Sequence, residues 1–219
     1  MKKLNLAQGM YVLITLLLPF VLIAIFWNQL PEQVPTHWNA KGEIDDYMPK
    51  FPGIFILPII NIVLFLFLLV LPKIDPKQNF QKFQKTYLFI ILFMTSFFLI
   101  LFLLTLMISL GYNLEMTQIV FFLVTIFMLI LGNFMGKMRP NYFVGIRTPW
   151  TLENETVWAK THRLGGFVWV AASFLMLVLL LFLPKAWIIY FFLVYVMLIS
   201  LIPIIYSYIL YTKIKKSED

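Results

Sequence analysis

Two polar stretches hold the residues whose types could do chemistry. The first, 28–52, carries His37, Glu43, Asp45 and Asp46 among the turn formers Pro31, Pro35, Gly42 and Pro49. An imidazole with carboxylates is a donor set for a divalent metal. These residues have no repeated ligand spacing, however, so the plainer reading gives His37 and Asn39 to turn backbone groups and the acids to water or to a partner's cations. The second stretch, 137–165, carries Arg139, Arg147, Lys160, Arg163 and His162 beside Trp150 and Trp158. Cations interleaved with aromatics suit headgroup lipid, an anionic ligand or a cytosolic protein. The chain has no Cys, which removes thiolate nucleophiles and sulfur-ligated metals, and its Ser, His and acidic residues stand in no triad spacing. No catalytic residue, metal or cofactor is expected, and the chain reads as a non-enzyme.

The elements that position these stretches follow from composition. Of 219 residues, 62% are apolar and 12% charged, and the mean hydropathy is +0.91. A core of this size cannot hide 23 Phe, 10 Tyr and 6 Trp from water, so lipid must be the solvent for much of the surface. Six windows lack Asp, Glu, Lys, Arg and His: 10–27, 53–71, 87–110, 118–136, 166–183 and 187–210. At 1.5 Å per residue each spans a hydrocarbon core of about 30 Å. The expected fold is an all-α integral membrane protein of six transmembrane helices. The first window lacks a small-residue cleavage site and is taken as a retained helix.

Fourteen of the seventeen Lys and Arg fall on one set of alternate segments, against Lys41, Lys50 and Lys185 on the other. The positive-inside rule then puts both termini in the cytoplasm, 28–52 outside and 137–165 inside. The net charge of +7 is thereby a topology signal, and no direct contact with nucleic acid is expected. Trp27, Phe51, Tyr87, Tyr112, Trp187 and Tyr211 fall at span ends, where amphipathic rings prefer headgroups. Pro19, Pro58 and Pro203 should bend their helices. The polar residues within the spans, among them Asn61, Thr105, Asn133 and Ser200, are neutral, which argues against ion-coupled transport.

Locally, Val34 to Trp38 alternates as a short extended element before a turn at Lys41-Gly42. In the inner stretch, Thr148 followed by Pro149 starts an interfacial helix, with Trp158 and His162 on one face and Gly165-Gly166 stopping it before the fifth span. Gly132 and Gly145 permit tight backbone geometry, and Asn141 caps a turn. The order of spans and long loops repeats as 3+3 with opposite entry sides, the layout of an inverted repeat. The chain divides into 1–71, a two-helix unit with the outer loop; 72–117, the third span and connectors; and 118–219 with the inner loop.

Two sets of residues resemble the SdpI family. The first is Pro35-Thr-His-Trp-Asn39 with Gly42, Asp45 and Lys50. The second is Gly132-Asn133, Arg139-Pro-Asn141, Gly145-Ile-Arg-Thr-Pro-Trp-Thr-Leu152, Val157-Trp158 and Thr161-His-Arg163. In that family the first marks an N-terminal domain of unassigned function and the second the immunity domain. The resemblance implies a multi-pass protein of the bacterial cytoplasmic membrane that protects its producer from a secreted toxic peptide. It also implies a signal transducer that brings a cytosolic winged-helix repressor to the membrane. It carries over no catalytic residues.

On this reading Arg147, Trp150, Trp158, His162 and Arg163 meet the cytosolic partner, while His37, Trp38, Asn39 and Asp45 face the toxin or shape the outer loop. The partners expected are lipid, peptide toxin and repressor. The rival readings are a membrane carrier or lipid-handling protein, with a polar cavity near Asn61, Thr105 or Asn133, and a membrane-embedded enzyme using His37 or His162.

Overall fold

The computed structural model of the chain describes residues 4–39 and 42–217. Lys2, Lys3 and Lys41, counted in the charge asymmetry, lie outside them. Helix α1 runs Leu6–Phe26 and opens on a capping box: Asn5 Oδ1 accepts from the Gln8 N–H at 2.8 Å, and Gln8 Oε1 accepts from the Asn5 N–H at 3.0 Å. Strands β1, Gln33–Trp38, and β2, Ile44–Pro49, form an antiparallel hairpin that leads into the single turn α2, Lys50–Gly53. Then come α3, Ile56–Ile74; a 3-10 turn, Asn79–Phe83; α4, Gln84–Ser109; and α5, Met116–Met135. After the long loop follow α6, Pro149–Glu153; α7, Glu155–Phe182; and α8, Lys185–Lys215. Among the described residues six helices are long and apolar enough to cross a membrane, which makes this a multi-pass membrane protein.

The strict all-α expectation needs correction, because the 28–52 segment is a two-stranded hairpin. Only its first strand was signalled by alternation; Asp45 and Asp46 are poor strand formers, and pairing with β1 overrides that preference. The bends expected at prolines are also revised. Pro19 and Pro203 stand inside α1 and α8, but Pro58 occupies the first turn of α3, where its missing N–H has no helical partner to lose. Tyr87, assigned to an interfacial belt, is wholly buried, with its ring edge-on to Phe80 at 4.6 Å. Asn133 and Ser200 are exposed on their helices rather than buried.

Two compact units organise the chain, one of Lys2–Val70 with Leu88–Phe121 and one of Leu71–Tyr87 with Phe122–Asp219. In the first, Ile23, Leu30, Ile54, Phe102 and Leu106 form a buried cluster. Its polar side chains turn to backbone: Thr105 Oγ1 donates to Leu101 O at 3.1 Å, and Asn61 Nδ2 donates to Thr95 O at 3.1 Å, tying α3 to α4.

Lys50 fastens the hairpin to the end of α1. Its Nζ donates to Trp27 O at 3.4 Å and Leu30 O at 3.2 Å, lies 4.9 Å from the Trp27 ring centre, and pairs with Glu32 at 3.2 Å. A cation at a helix C-terminus satisfies carbonyls the helix leaves orphaned. The variant Lys50→Met should therefore lose about 1–2 kcal/mol, read as a lowered unfolding temperature in detergent; an unchanged temperature would remove this role.

In the second unit, α7 packs along α8, and α6 touches both. Helix α7 also comes close to α5 through glycine. A Cβ on Gly132 would stand 2.6 Å from Trp169 Cβ, and one on Gly166 would stand 2.7 Å from Gly132 O. Small residues of this kind let helix backbones approach within a membrane. Gly165-Gly166 was expected to stop a helix, and this is the physical reason it does not. The pair is buried in the continuous α7, and packing outweighs a propensity cost of about 1 kcal/mol per glycine.

Candidate functional site

The loop from Gly136 to Thr148 is irregular, so side chains supply the hydrogen bonds its backbone cannot find in a helix or sheet. Asn141 is fully buried at its centre. Its Nδ2 donates to Arg139 O at 2.8 Å and Val144 O at 3.0 Å, and its Oδ1 accepts from the N–H groups of Phe143 at 2.9 Å and Val144 at 2.7 Å. The segment just after α3 grips the loop and α6 from another side. Asp75 Oδ1 accepts from the Tyr142 N–H at 3.0 Å, Asn79 Nδ2 donates to Pro140 O at 2.8 Å, and Lys77 Nζ donates to Leu152 O at 2.5 Å.

His162 closes this framework. Its Nε2 accepts from the Ile146 N–H at 3.0 Å while its Nδ1 donates to Trp158 O at 2.9 Å. An acceptor at Nε2 requires the neutral ring with its proton on Nδ1. The imidazole stacks on the Trp158 indole, centres 4.0 Å apart and planes at 19°, and both residues are buried. Trp158 Nε1 in turn donates to Met138 O at 3.0 Å. Gly145 makes room: its φ is +110°, and a Cβ there would lie 2.3 Å from His162 Nε2. With both ring nitrogens committed to backbone, His162 orders the loop instead of exchanging protons.

The start of α6 is as expected from Thr148-Pro149. Thr148 Oγ1 accepts from the Thr151 N–H at 3.2 Å, and Thr151 Oγ1 accepts from the Thr148 N–H at 2.9 Å and donates to Ile146 O at 2.8 Å. That helix is one turn long, however, ending at Asn154. Asn154 Oδ1 then accepts from the N–H groups of Thr156 at 2.8 Å and Val157 at 3.0 Å and starts α7. Trp158 and His162 thus belong to the fifth membrane-spanning helix, not to a separate interfacial one. Helix α8 completes the site: Thr148 and Ser207 hydroxyls meet at 3.1 Å, Trp150 packs on Tyr208 at 5.0 Å, and Tyr211 donates to Glu153 at 2.9 Å.

The hairpin is a second, separate candidate surface. His37 Nδ1 and Asp45 Oδ1 are 2.6 Å apart, with side chains 66% and 42% exposed. Asn39 Nδ2 donates to Glu43 Oε2 at 3.0 Å, and Asn39 Oδ1 accepts from the Glu43 N–H at 3.1 Å. Across the turn, the Asn39 N–H donates to Glu43 O at 2.9 Å. Val34 is buried against Gly53, where a Cβ would stand 2.5 Å from Val34 Cγ2. Val34 is thus held on the buried side, and the acidic side chains of Glu43, Asp45 and Asp46 are left exposed.

Comparison with known proteins bears on both surfaces. The "Immunity protein SdpI" of Bacillus subtilis (strain 168) is 32% identical over 209 residues, covering 94% of this chain and 97% of that one. The chain belongs to the SdpI family. The SdpI/YfhL protein family matches residues 137–207, and a domain of unknown function (DUF1648) matches residues 14–62. No solved structure matches the chain. The SdpI segment takes in the loop from Lys137 onward, α6, α7 and most of α8, and the N-terminal segment takes in most of α1, the hairpin and the start of α3.

Within the SdpI segment, the residues named from sequence divide by depth. Trp158 and His162 are interior supports. Arg147 is exposed and donates from Nη1 to Tyr142 O at 2.7 Å, Trp150 is half-buried on α8, and Arg163 is exposed on α7. His162 is brought beside the Gly145–Arg147 backbone, whereas among the described residues no hydrogen bond or ion pair joins Arg163 to the others. The N-terminal set is closer knit: His37 pairs with Asp45, and Trp38 and Asn39 are half-buried next to them. Sequence reading missed Asp75, Lys77 and Asn79, which lay in what read as a plain connector. An acid between Lys73 and Lys77, followed by Pro76, was the available signal.

Proposed function

We infer that this protein is a membrane immunity protein that protects its producer from a secreted peptide. The carrying observation is the near full-length likeness to an immunity protein, which includes both loop motifs. With both termini cytoplasmic, as the excess of Lys and Arg argues, the hairpin meets the peptide outside. His37, Trp38, Asn39 and Asp45 present a polar, acidic surface there, and exposed Tyr47 and Phe51 add apolar area for a membrane-active peptide. Inside, Arg147, Trp150 and Arg163 supply the surface on which a cytosolic repressor docks, while Trp158 and His162 hold its backbone in place. Signalling then requires the peptide to favour one of two states of the protein and the repressor the same one.

The test is survival of a sensitive bacterium expressing the protein under challenge by a panel of secreted peptide toxins. Wild type should protect. His37→Ala breaks only an exposed pair, worth under about 1 kcal/mol, so it should reduce protection at unchanged membrane abundance. Arg147→Ala should preserve abundance and abolish recruitment of the repressor to membranes, followed by fractionation. Absence of protection by well-expressed wild type would overturn the reading.

A further inference from the structure

A cleft of about 750 Å³ opens beside the loop, lined by Asn79, Lys82, Arg139, Glu155, Trp158 and Lys160 among others. Its three cations come from separate segments: Lys82 from the 3-10 turn, Arg139 from the loop and Lys160 from α7. Among the described residues, none of these three cations is in an ion pair. Like charges converging on one cavity repel unless an anion joins them. Glu155 is the single acid in the lining.

The cleft walls are fixed by the buried framework already described. Asn79 holds Pro140 O at 2.8 Å and Trp158 holds Met138 O at 3.0 Å, so the cations stand on an ordered backbone. Position along the spans gives the depth. Gly136 on the rim directly follows the end of α5, Lys82 stands just before α4, and Lys160 stands one turn before the charge-free run of α7 that begins after Arg163. This is where hydrocarbon gives way to headgroups. Basic pockets at helix ends at that level take phosphate headgroups. The lining also includes Met138, Pro140 and Ala159, which suit the glycerol and upper acyl region better than a water-soluble acidic protein.

We propose that this cleft binds the phosphate of an anionic phospholipid, with Lys82, Arg139 and Lys160 as its ligands. The site is independent of the toxin and of the repressor surface at Arg147, so its test does not rest on the immunity reading.

The experiment is native mass spectrometry of the full-length protein in detergent, with phosphatidylglycerol or phosphatidylcholine of equal chain length added. Wild type should retain phosphatidylglycerol over phosphatidylcholine. The triple variant Lys82→Gln, Arg139→Gln, Lys160→Gln should weaken that retention about a hundredfold, since each cation near anionic lipid contributes about fivefold. A control triple, Lys213→Gln, Lys215→Gln, Lys216→Gln, loses the same charge from the end of α8 and should retain the lipid. All three cleft cations are exposed, so folding should survive; should the triple aggregate, single Lys82→Gln and Lys160→Gln variants carry the test with smaller losses. Persistence of the complex in millimolar inorganic phosphate supports lipid as the occupant, and displacement reassigns the site to free phosphate. Equal retention by wild type and the cleft variants, equal loss in the control triple, or equal retention of phosphatidylcholine would overturn the proposal and leave the cations to a protein partner.

Discussion

Replacing Gly145 by alanine is expected to dismantle the loop that carries the SdpI motif. At φ +110° an L-residue is strained by about 1–3 kcal/mol. The new Cβ would also lie 2.3 Å from His162 Nε2 and push the imidazole away from the Ile146 N–H. A part-buried donor left without its acceptor adds about 1–3 kcal/mol. A total loss of about 3 kcal/mol or more should appear as a sharp fall in membrane abundance and in the unfolding temperature in detergent. Gly9→Ala is the matched control: nothing lies within 4 Å of that Cβ in α1, so it should be neutral or slightly stabilising. His162→Ala should cost a similar amount, and the double variant should lose less than the sum because both changes break one contact. A Gly145→Ala protein as stable as wild type would remove His162 from its assigned role.

The second large effect is expected from Gly132→Leu. The atoms facing that position are Trp169 Cβ at 2.6 Å, Gly166 O at 3.2 Å and Val170 N at 3.2 Å, two of them backbone. Trp169 cannot swing aside freely, because its Nε1 donates to Ile199 O of α8 at 2.8 Å. A side chain here must separate α5 from α7, and overpacking of this kind costs about 3 kcal/mol or more. Ala, Val and Leu at 132 should give a graded loss of folded protein in the membrane. Gly136→Ala, whose Cβ would be no nearer than 4.0 Å to Arg163 Cα, should be tolerated. Equal abundance of the Gly132→Leu and Gly136→Ala proteins would show that the close approach does not govern folding.

The two sites also explain how experiments on the candidate residues should be read. Arg147 and Arg163 are exposed, so changing them reports on binding, whereas Trp158 and His162 are buried and report first on folding. From the sequence alone these four residues looked alike, because a Trp and a His four apart on a helix face could equally face headgroups, a partner or the interior. The neighbours that decide between these are distant in the chain: Ile146 for His162, and Met138 for Trp158. Asp75 shows the same gap more strongly. It is separated by 67 residues from the Tyr142 N–H it accepts from, and no local pattern announces such a pairing.

The features legible in the chain alone are those that depend on short-range physics. Six runs of apolar residues long enough to cross a bilayer are legible because the cost of burying charge in hydrocarbon is paid residue by residue. The Thr148-Pro149 helix start, the tight backbone turn at Gly145 and the turn built by Asn141 are legible because each depends on atoms within a few residues, whereas the approach of His162 to Gly145 does not. Long-range contacts set the remainder. They made β2 a strand by pairing Asp46 with His37 across the hairpin, and they carried α7 through Gly165-Gly166 because α5 needed to approach there. They turned His162 from a candidate surface residue into an interior support. In each case local preference amounts to a fraction of a kcal/mol or little more, and long-range contacts of several kcal/mol override it.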